Sequence, residues 1–225
     1  MKKGKSRLFV ERLLAWWESN KQQFPWRKES DPYRILIAEM LLRKTTARQV
    51  ATIYKDFLRF FPDPKSLAEA SIESLEIILK PLGMYKVRAR ILKDLGRVLV
   101  TKFSGYVPRS KHELLSLPGV SEYTANAVLC FAYNKEVPLV DTNVIRILYR
   151  VFVLKSDRKR AKDDPKIWRF VQEILPKGRA RDFNLALIDF AHKICRPKNP
   201  ICSSCIMLDI CSSPEIKERL PGQLS

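Results

Sequence analysis

The stretch Leu117-Pro118-Gly119-Val120-Ser121 decides the fold. Pro118 cannot donate a backbone hydrogen bond and Gly119 can adopt a positive φ, so a helix must end here and the chain must turn. The N–H groups around Gly119 to Ser121, and those that start the next helix, lack partners in such a hairpin and can bind a phosphate. An ordinary helical hairpin is the alternative. Apolar residues at helical spacing flank the turn: Leu114, Leu115 and Leu117 before it, and Ala125, Val128, Leu129 and Phe131 after it.

Asp141 stands at the boundary between an apolar pair, Leu139-Val140, and a second helical pattern. The pattern predicts that Asp141 lies at the start of a helix, near the positive end of its dipole. Taken alone, an aspartate in this position is most often only an N-cap. The apolar residues that carry the pattern are Val144, Ile147, Leu148 and Val151.

These two stretches, LPGVSEYTANAV from Leu117 and VDTNVIRILYR from Val140, resemble the helix-hairpin-helix DNA glycosylases. Within that family they are most similar to the endonuclease III and MutY branch, and the resemblance extends from about Phe24 to Cys211. It implies an all-α fold of two helical subdomains with an active-site cleft between them. Residues 25–135 would form a six-helix barrel that includes the hairpin, and residues 1–24 with 136–225 would form an iron–sulfur subdomain. We find no strand pattern and no internal repeat.

The chain carries a large excess of positive charge. Its 225 residues include 42 Lys and Arg against 24 Asp and Glu, a formal net charge of +18, which favours a polyanion as partner. A solvated basic surface on a thermophilic or ribosome-associated protein is the alternative. Neither an apolar run of about 18 residues nor a signal-peptide core occurs, so we expect an intracellular protein of the cytoplasm or nucleoid, with no membrane partner. We expect a monomer that binds mismatched double-stranded DNA, the partner that the resemblance implies.

Glu39 lies inside the apolar run of a predicted helix that starts at Asp31-Pro32. A carboxylate is costly to bury without a partner, so the pattern leaves open that Glu39 faces solvent or pairs with Arg34 or Arg43. The resemblance implies instead that Glu39 is the acid/base glutamate of the MutY-like enzymes. A buried Glu with a raised pKa is suited to protonating a nucleobase.

Arg43 and Lys44 follow in the sequence AEMLLRKTTA. Adenine-removing relatives typically carry Gln-Gln here, whereas the Arg-Lys pair resembles the LLRRTTA of the archaeal T/G mismatch thymine glycosylases of the Mig type. A basic pair that faces phosphates is the alternative, and both interpretations can hold.

Met84 lies in the loop Pro81-Leu82-Gly83-Met84-Tyr85, before a predicted helix from Lys86 to Phe103. In the relatives, this loop inserts a side chain into the base stack, and Met84 is our candidate for that wedge. A Met packed on the core is the alternative. The apolar side of the following helix is predicted to be Val87, Ile91, Leu95 and Val98. A further helix is predicted from Leu8 to Asn20.

The stretch that resembles the family ends with four cysteines, Cys195, Cys202, Cys205 and Cys211. Few apolar residues lie between them, so this segment cannot form a core by itself and suits a metal. On chemistry alone the metal would be zinc. The spacing resembles the [4Fe-4S] loop of endonuclease III and MutY, which implies a structural cluster. Cys130, on the second helix of the hairpin, is predicted to be a buried apolar residue.

The resemblance also assigns chemistry to individual residues. Asp141 would stabilise the positive charge that develops on the sugar, and Glu39 would act on the leaving base. Lyase members carry a Lys where this chain has Tyr123, so we expect a monofunctional glycosylase. Ser121 replaces the usual second Gly of the hairpin. The predicted DNA contacts are Arg43, Lys44, Met84, Gly119, Ser121 and Thr124.

The predicted substrate is thymine or uracil mispaired with guanine. The chain ends 14 residues after Cys211, which leaves no room for the 8-oxoguanine-reading domain of MutY. A MutY-type adenine glycosylase without that domain is the alternative, and a non-catalytic DNA-binding module is a third hypothesis. A strand-cleaving lyase is a further variant.

Overall fold

A computed structural model describes residues 2–213, and all regular secondary structure within that range is helical. This confirms the predicted all-α class. Short 3₁₀ helices span Pro25–Lys28, Lys80–Leu82, Ala161–Asp163 and Leu208–Ile210. The α-helices are α1 (Lys2–Glu18), α2 (Pro32–Leu41), α3 (Ala47–Phe60), α4 (Pro64–Glu69), α5 (Ile72–Leu79), α6 (Tyr85–Phe103), α7 (Lys111–Leu115), α8 (Glu122–Tyr133), α9 (Thr142–Phe152), α10 (Pro165–Ile174) and α11 (Ala180–Lys193).

The chain folds as two compact units. Residues 23–135 form the central unit, which contains α2 to α8. The N-terminal 22 residues and the segment from Glu136 onward form the terminal unit, which contains α1 and α9 to α11. Within residues 2–213, no helix has both the length and the apolar character to cross a membrane.

Local capping signals set where the helices of the central unit begin. Asp31 accepts a hydrogen bond from the N–H of Arg34, and Pro32 occupies the first turn of α2. Thr46 and Gln49 form a capping box at the start of α3. α4 and α6 then approach closely at Gly96, where an added Cβ would lie 2.7 Å from the backbone nitrogen of Ala68. A side chain at position 96 would therefore push the two helices apart.

Two helix predictions differ from the structure. α1 begins at Lys2, six residues before the predicted Leu8, because its residues before Leu8 are polar or glycine and give no apolar periodicity from which a helix could be predicted. The buried face of α6 is also rotated from the prediction. Val87, predicted to face inward, is half exposed, and the buried residues are Ala89, Leu92, Leu95, Gly96 and Leu99.

Asp189 is the fully buried carboxylate at the centre of the terminal unit. It lies on α11 and accepts hydrogen bonds from the indole Nε1 of Trp17 at 2.8 Å and from the backbone and side-chain nitrogens of Gln22 at 3.2 and 3.0 Å. These bonds join α1 and the segment after it to α11. Each donor would lose a partner if the carboxylate were removed, which makes Asp189 expensive to replace.

We expect Asp189→Ala to lower the free energy of unfolding by about 3 kcal/mol, because it leaves a buried indole N–H without an acceptor. Asp182→Ala is the matched control on the same helix. Its carboxylate forms an exposed ion pair with Arg179, and its removal should cost less than about 1 kcal/mol. Urea denaturation measures both losses. Equal losses would contradict the assignment.

Candidate active site and cysteine loop

The predicted hairpin is formed by α7, the turn around Gly119, and α8. Gly119 has a φ of 75°, a conformation that favours glycine. An added Cβ would lie 2.6 Å from Cγ2 of Ile91, 2.9 Å from Cε of Met40 and 3.0 Å from Nη1 of Arg43. Two segments of the central unit, α6 and the end of α2 with the residues after it, therefore approach this turn, and a Cβ there would clash with the branched side chain of Ile91.

Of the N–H groups in the turn, some donate hydrogen bonds within residues 2–213 and others do not. Val120 donates to the carbonyl of Leu117 at 3.1 Å. Within residues 2–213, the N–H groups of Gly119, Ser121 and Glu122 have no acceptor, so they are the amides available to an anion. The predicted phosphate-binding turn therefore retains donors on both sides of Val120.

Thr124, one of the predicted DNA contacts, is buried, and its contact with DNA stays a prediction. Its side chain is 1% exposed, its N–H donates to Oγ of Ser121 at 3.2 Å, and the two hydroxyls lie 3.1 Å apart. Thr124 thus completes the N-cap of α8, and this role keeps its side chain away from solvent. The sequence missed this because a threonine in a first helical turn gives no indication of its burial.

Arg43 and Lys44 follow the end of α2. The Arg43 guanidinium donates from Nη1 to the carbonyl of Gly119 at 2.6 Å, which fastens this segment to the hairpin turn. Lys44 is exposed and has a φ of 54°. A left-handed backbone at a non-glycine residue costs about 1 kcal/mol or more, so its neighbours must hold it in place.

Met84 is the N-cap residue of α6, with a φ of 50°. Its side chain is 55% exposed. The alternative that this Met packs on the core is therefore wrong. An exposed apolar side chain held in a left-handed turn is compatible with a wedge, which remains a prediction.

Glu39 and Tyr123 are the candidate catalytic residues of the central unit. Glu39 lies on α2 and is 7% exposed, with buried residues on both sides of it along the helix. The alternative that Glu39 faces solvent is therefore wrong. Tyr123 is half-buried in the first turn of α8. α2 packs against α8 within this unit.

Asp141 is the N-cap of α9 in the terminal unit, as the pattern predicted. One carboxylate oxygen accepts from the backbone nitrogens of Asn143 at 2.9 Å and Val144 at 2.8 Å. The other accepts from Nδ2 of Asn143 at 2.6 Å. The positive end of the helix dipole adds to these bonds. Asp141 is therefore a negative charge fixed in one orientation, with part of its surface accessible.

A chain of hydrogen bonds leads from Asp141 toward the cysteine loop. Nη1 of Arg146 donates to Oδ1 of Asn143 at 3.0 Å, Nε donates to the carbonyl of Cys195 at 2.9 Å, and Nη2 donates to the carbonyl of Ala191 at 3.1 Å. Burial lowers the pKa of Arg146. Sequence analysis missed Asn143 and Arg146. The available signal was two arginines four positions apart, Arg146 and Arg150, on an otherwise apolar face.

The four predicted ligand cysteines line one apolar pocket together with Arg150. Arg150 is 8% exposed and donates to the carbonyls of Arg196 at 2.6 Å and Pro197 at 3.3 Å, with Sγ of Cys195 at 3.6 Å. Its own carbonyl accepts from the N–H of Ser212 at 3.0 Å. Both ends of the cysteine loop are therefore anchored to Arg150, whose charge also faces the sulfurs.

Burial disfavours the thiolate form of two of these cysteines, Cys205 and Cys211. The pKa of Cys205 is raised to about 12, first by burial and also by the charges of the other three sulfurs, while a hydrogen bond from Met207 lowers it. Burial likewise raises the pKa of Cys211. As arranged within residues 2–213, no group of three His, Cys, Asp or Glu side chains could hold a metal ion. The donor set of four sulfurs around one apolar pocket fits a larger sulfur-ligated group.

Residues 2–213 thus form an all-helical structure with a glycine hairpin and a capped aspartate, and a comparison with protein families places it in a class of DNA repair proteins. Residues 37–173 match the HhH-GPD superfamily of base excision DNA repair proteins. The chain belongs to this family, as the sequence resemblance predicted.

The chain is similar in sequence to individual DNA glycosylases. The chain is 42% identical to a thymine/uracil-DNA glycosylase of Pyrobaculum aerophilum, covering 94% of each chain, and 42% identical to a thymine-DNA glycosylase of Aeropyrum pernix, covering 93% of this chain and 95% of that one. It is 31% identical to the adenine DNA glycosylase of Mus musculus, covering 96% of this chain and 43% of that protein.

Solved structures agree with this placement. A thermostable thymine-DNA glycosylase superposes with a TM-score of 0.90 at 37% identity, covering 95% of this chain and 98% of that one. An endonuclease III in a non-covalent complex with DNA superposes with a TM-score of 0.86 at 25% identity, covering 98% of this chain and 100% of that one.

We expect Gly119→Ala to destabilise the protein by at least about 2 kcal/mol more than Gly105→Ala. Both glycines have a positive φ, but an added Cβ at position 105 meets nothing within 4 Å. The control therefore carries only the backbone cost, whereas Gly119→Ala adds the clash with Ile91. Chemical denaturation of both variants gives the difference, and equal losses would show that the turn has room for a side chain.

Proposed function

We propose that this protein is a monofunctional DNA glycosylase of base excision repair that removes thymine or uracil mispaired with guanine. It would act as a monomer on double-stranded DNA. The observation that carries the proposal is the contrast between two carboxylates, one buried within an apolar helix and one fixed at a helix start. Two relatives at 42% identity are thymine or thymine/uracil glycosylases, and this similarity supports the choice of base.

The target base lies inside a duplex, so it must leave the stack before the bond to its sugar can be broken. The free amides of Gly119 and Ser121 would bind a phosphate, and the net charge of +18 would neutralise the backbone around it. Met84 would fill the space that the extruded base leaves, while Arg43 and Lys44 would contact the orphaned guanine. All of these residues belong to the central unit.

Asp141 would stabilise the transition state. Cleavage of the N-glycosidic bond develops positive charge on the sugar, and a carboxylate that is already oriented stabilises that charge without reorganisation. Three hydrogen bonds hold Asp141 in its orientation. The same carboxylate would orient the attacking water.

Glu39 would hydrogen-bond or protonate the leaving base. Its 7% exposure places it in an environment that disfavours a free carboxylate charge. Proton donation to the base lowers the barrier to its departure, and this division of labour parallels the two carboxylates of glycoside hydrolysis.

Tyr123 supports hydrolysis without strand cleavage. It occupies the position at which the lyase members of the family carry a lysine that forms an imine with the sugar. A phenol cannot form an imine, so water would be the nucleophile.

The alternative is an adenine glycosylase of MutY type. The 31% identity to a mouse adenine glycosylase keeps it open. The 42% identities to the thymine and thymine/uracil enzymes favour the first proposal, as does the Arg43-Lys44 pair in place of two glutamines.

The decisive experiment incubates the protein with duplexes that contain T/G, U/G, A/G or A/8-oxoguanine pairs and then cleaves abasic sites with alkali. We expect release of thymine and uracil opposite guanine. Asp141→Asn and Glu39→Gln should each slow single-turnover release by about 100-fold or more, because each removes a charge or proton that the transition state requires.

Asp31→Asn is the matched control, since Asp31 is also an N-cap aspartate but lies outside the proposed chemistry. It should leave the rate unchanged. Release of adenine alone would replace the proposal with its alternative, and inactivity of the parent on every duplex would favour a non-catalytic DNA-binding module. A covalent adduct trapped by borohydride would revive the lyase variant.

We further propose that Cys195, Cys202, Cys205 and Cys211 hold a [4Fe-4S] cluster, with zinc as the alternative. The four sulfurs line one pocket, and the buried Arg150 faces them with a compensating charge. When bound, the cluster would supply folding free energy to a segment that has little core of its own. Arg150 and Arg146 would orient this loop through its carbonyls.

We expect the purified protein to contain iron and acid-labile sulfide at about four of each per chain. Cys202→Ser should lose both, and Cys130→Ser should retain them, because Cys130 belongs to the central unit and is absent from the pocket. Elemental analysis and the visible absorbance measure the outcome. Zinc at one per chain, without sulfide, would contradict the cluster.

A further inference from the structure

Arg88 lies on α6 in a stretch that resembles a basic surface, Lys86-Val87-Arg88-Ala89-Arg90, yet its guanidinium is turned into the protein. Nε donates to the carbonyl of Gly83 at 3.0 Å. Nη1 lies 3.4 and 3.3 Å from the carbonyls of Met40 and Leu41. Nη2 donates to the carbonyl of Arg43 and to Oγ1 of Thr45, both at 2.5 Å.

These contacts join the segments to which the proposed function assigns DNA recognition. The Gly83 carbonyl lies directly before Met84, and the carbonyl of Arg43 lies directly before Lys44. Arg43 in turn donates from its side chain to the carbonyl of Gly119. Two guanidinium groups therefore connect the wedge loop, the segment 43–45 and the hairpin turn within the central unit.

Holding Arg88, Lys44 and Met84 in these conformations costs free energy that an ordinary surface charge does not cost. Burial lowers the pKa of Arg88, and the nearby charge of Arg43 lowers it further. Lys44 and Met84 both have positive φ values, 54° and 50°, and each costs about 1 kcal/mol or more to maintain. Charge-assisted bonds to the carbonyls beside these two residues offset that cost, since hydrogen bonds to a charged donor are the strong ones.

We propose that Arg88 is a positioning residue that holds Met84 and the segment 43–45 as one rigid element for reading the base opposite the lesion. The inference rests on the proposed function and deepens it. Arg88 does not need to touch DNA, because it acts through the backbone beside Met84 and Lys44. Its removal would loosen the wedge and the opposite-base contacts together, and it would leave the charge-driven attraction to any duplex largely intact.

Arg88→Lys is the primary variant, because it keeps one positive charge but replaces a planar fork with a single ammonium that cannot bridge these carbonyls. Arg90→Lys is the matched control, two positions along the same helix and exposed. Thr45→Val is a milder second variant that removes one acceptor of Arg88, so the test survives if Arg88→Lys does not fold. Circular dichroism melting confirms folding in each case.

Single-turnover excision is measured on whichever mispair the parent cleaves, together with the Kd for a fully matched duplex. Arg88→Lys should slow excision by about tenfold or more while changing the matched-duplex Kd by less than about twofold. Thr45→Val should slow excision by about threefold. Fluorescence of 2-aminopurine next to the lesion should report less base extrusion in both variants. Arg90→Lys should match the parent throughout.

A double variant separates positioning from general stability. If Arg88 acts partly through the wedge, the combined loss of excision rate in Arg88→Lys with Met84→Ala should be smaller than the product of the two single losses, because the contribution of the wedge can be lost only once. Multiplicative losses in the double variant would overturn the inference. So would equal excision rates for Arg88→Lys and Arg90→Lys, or a loss of matched-duplex affinity in Arg88→Lys as large as its loss of excision rate. A parent that excises no base would refute the proposed function instead, so the two failures are distinguishable.

Discussion

The absence of a side chain at position 119 is the constraint on which the central unit depends. Ile91 of α6, Met40 of α2 and Arg43 all approach the place that a Cβ would occupy. The turn can be so crowded only because glycine also permits its positive φ. This close packing places the backbone amides of the turn, the apolar side chains of Ile91 and Met40 and the guanidinium of Arg43 in one small region. The backbone amides of the turn that lack acceptors within residues 2–213 are therefore held by close packing, as the proposed phosphate contact requires.

In the terminal unit, hydrogen bonds of charged side chains hold Asp141 and the cysteine loop in place. Asp141 is held at the start of α9. The same helix carries Arg146 and Arg150, which donate hydrogen bonds to carbonyls of the cysteine loop. The helix thus presents a fixed carboxylate at its N-terminus, the partly buried Arg146 one turn later and the buried Arg150 two turns later. Because both arginines bind backbone carbonyls, the orientation of α9 and the path of the cysteine loop depend on each other. A change in either would be felt at Asp141 through Asn143.

The parts of the structure that the sequence predicted are local ones. The helix starts at Asp31 and Asp141 depend on residues within about four positions, so propensity and spacing suffice to find them. The all-helical class was implied by the family resemblance, and helical spacing of apolar residues without a strand pattern agreed with it. The arginines that shape both units were missed because their partners are carbonyl oxygens of distant segments. Every residue has such an oxygen, so no pattern of side chains announces that Arg88, Arg146 or Arg150 turns inward.

The bond between Arg43 and Gly119 limits what position 43 can contribute to base choice. A glutamine, typical of the adenine-removing relatives, could also donate one hydrogen bond to this carbonyl, so the turn itself does not require arginine. Arginine adds a positive charge and further N–H groups beyond the one that the turn uses. Guanine offers two acceptors on its major-groove edge, for which a forked donor is the best match. The proposed preference for an orphaned guanine would therefore depend on the donors of Arg43 that have no acceptor within residues 2–213, and the exposed Lys44 beside it would add charge without direction.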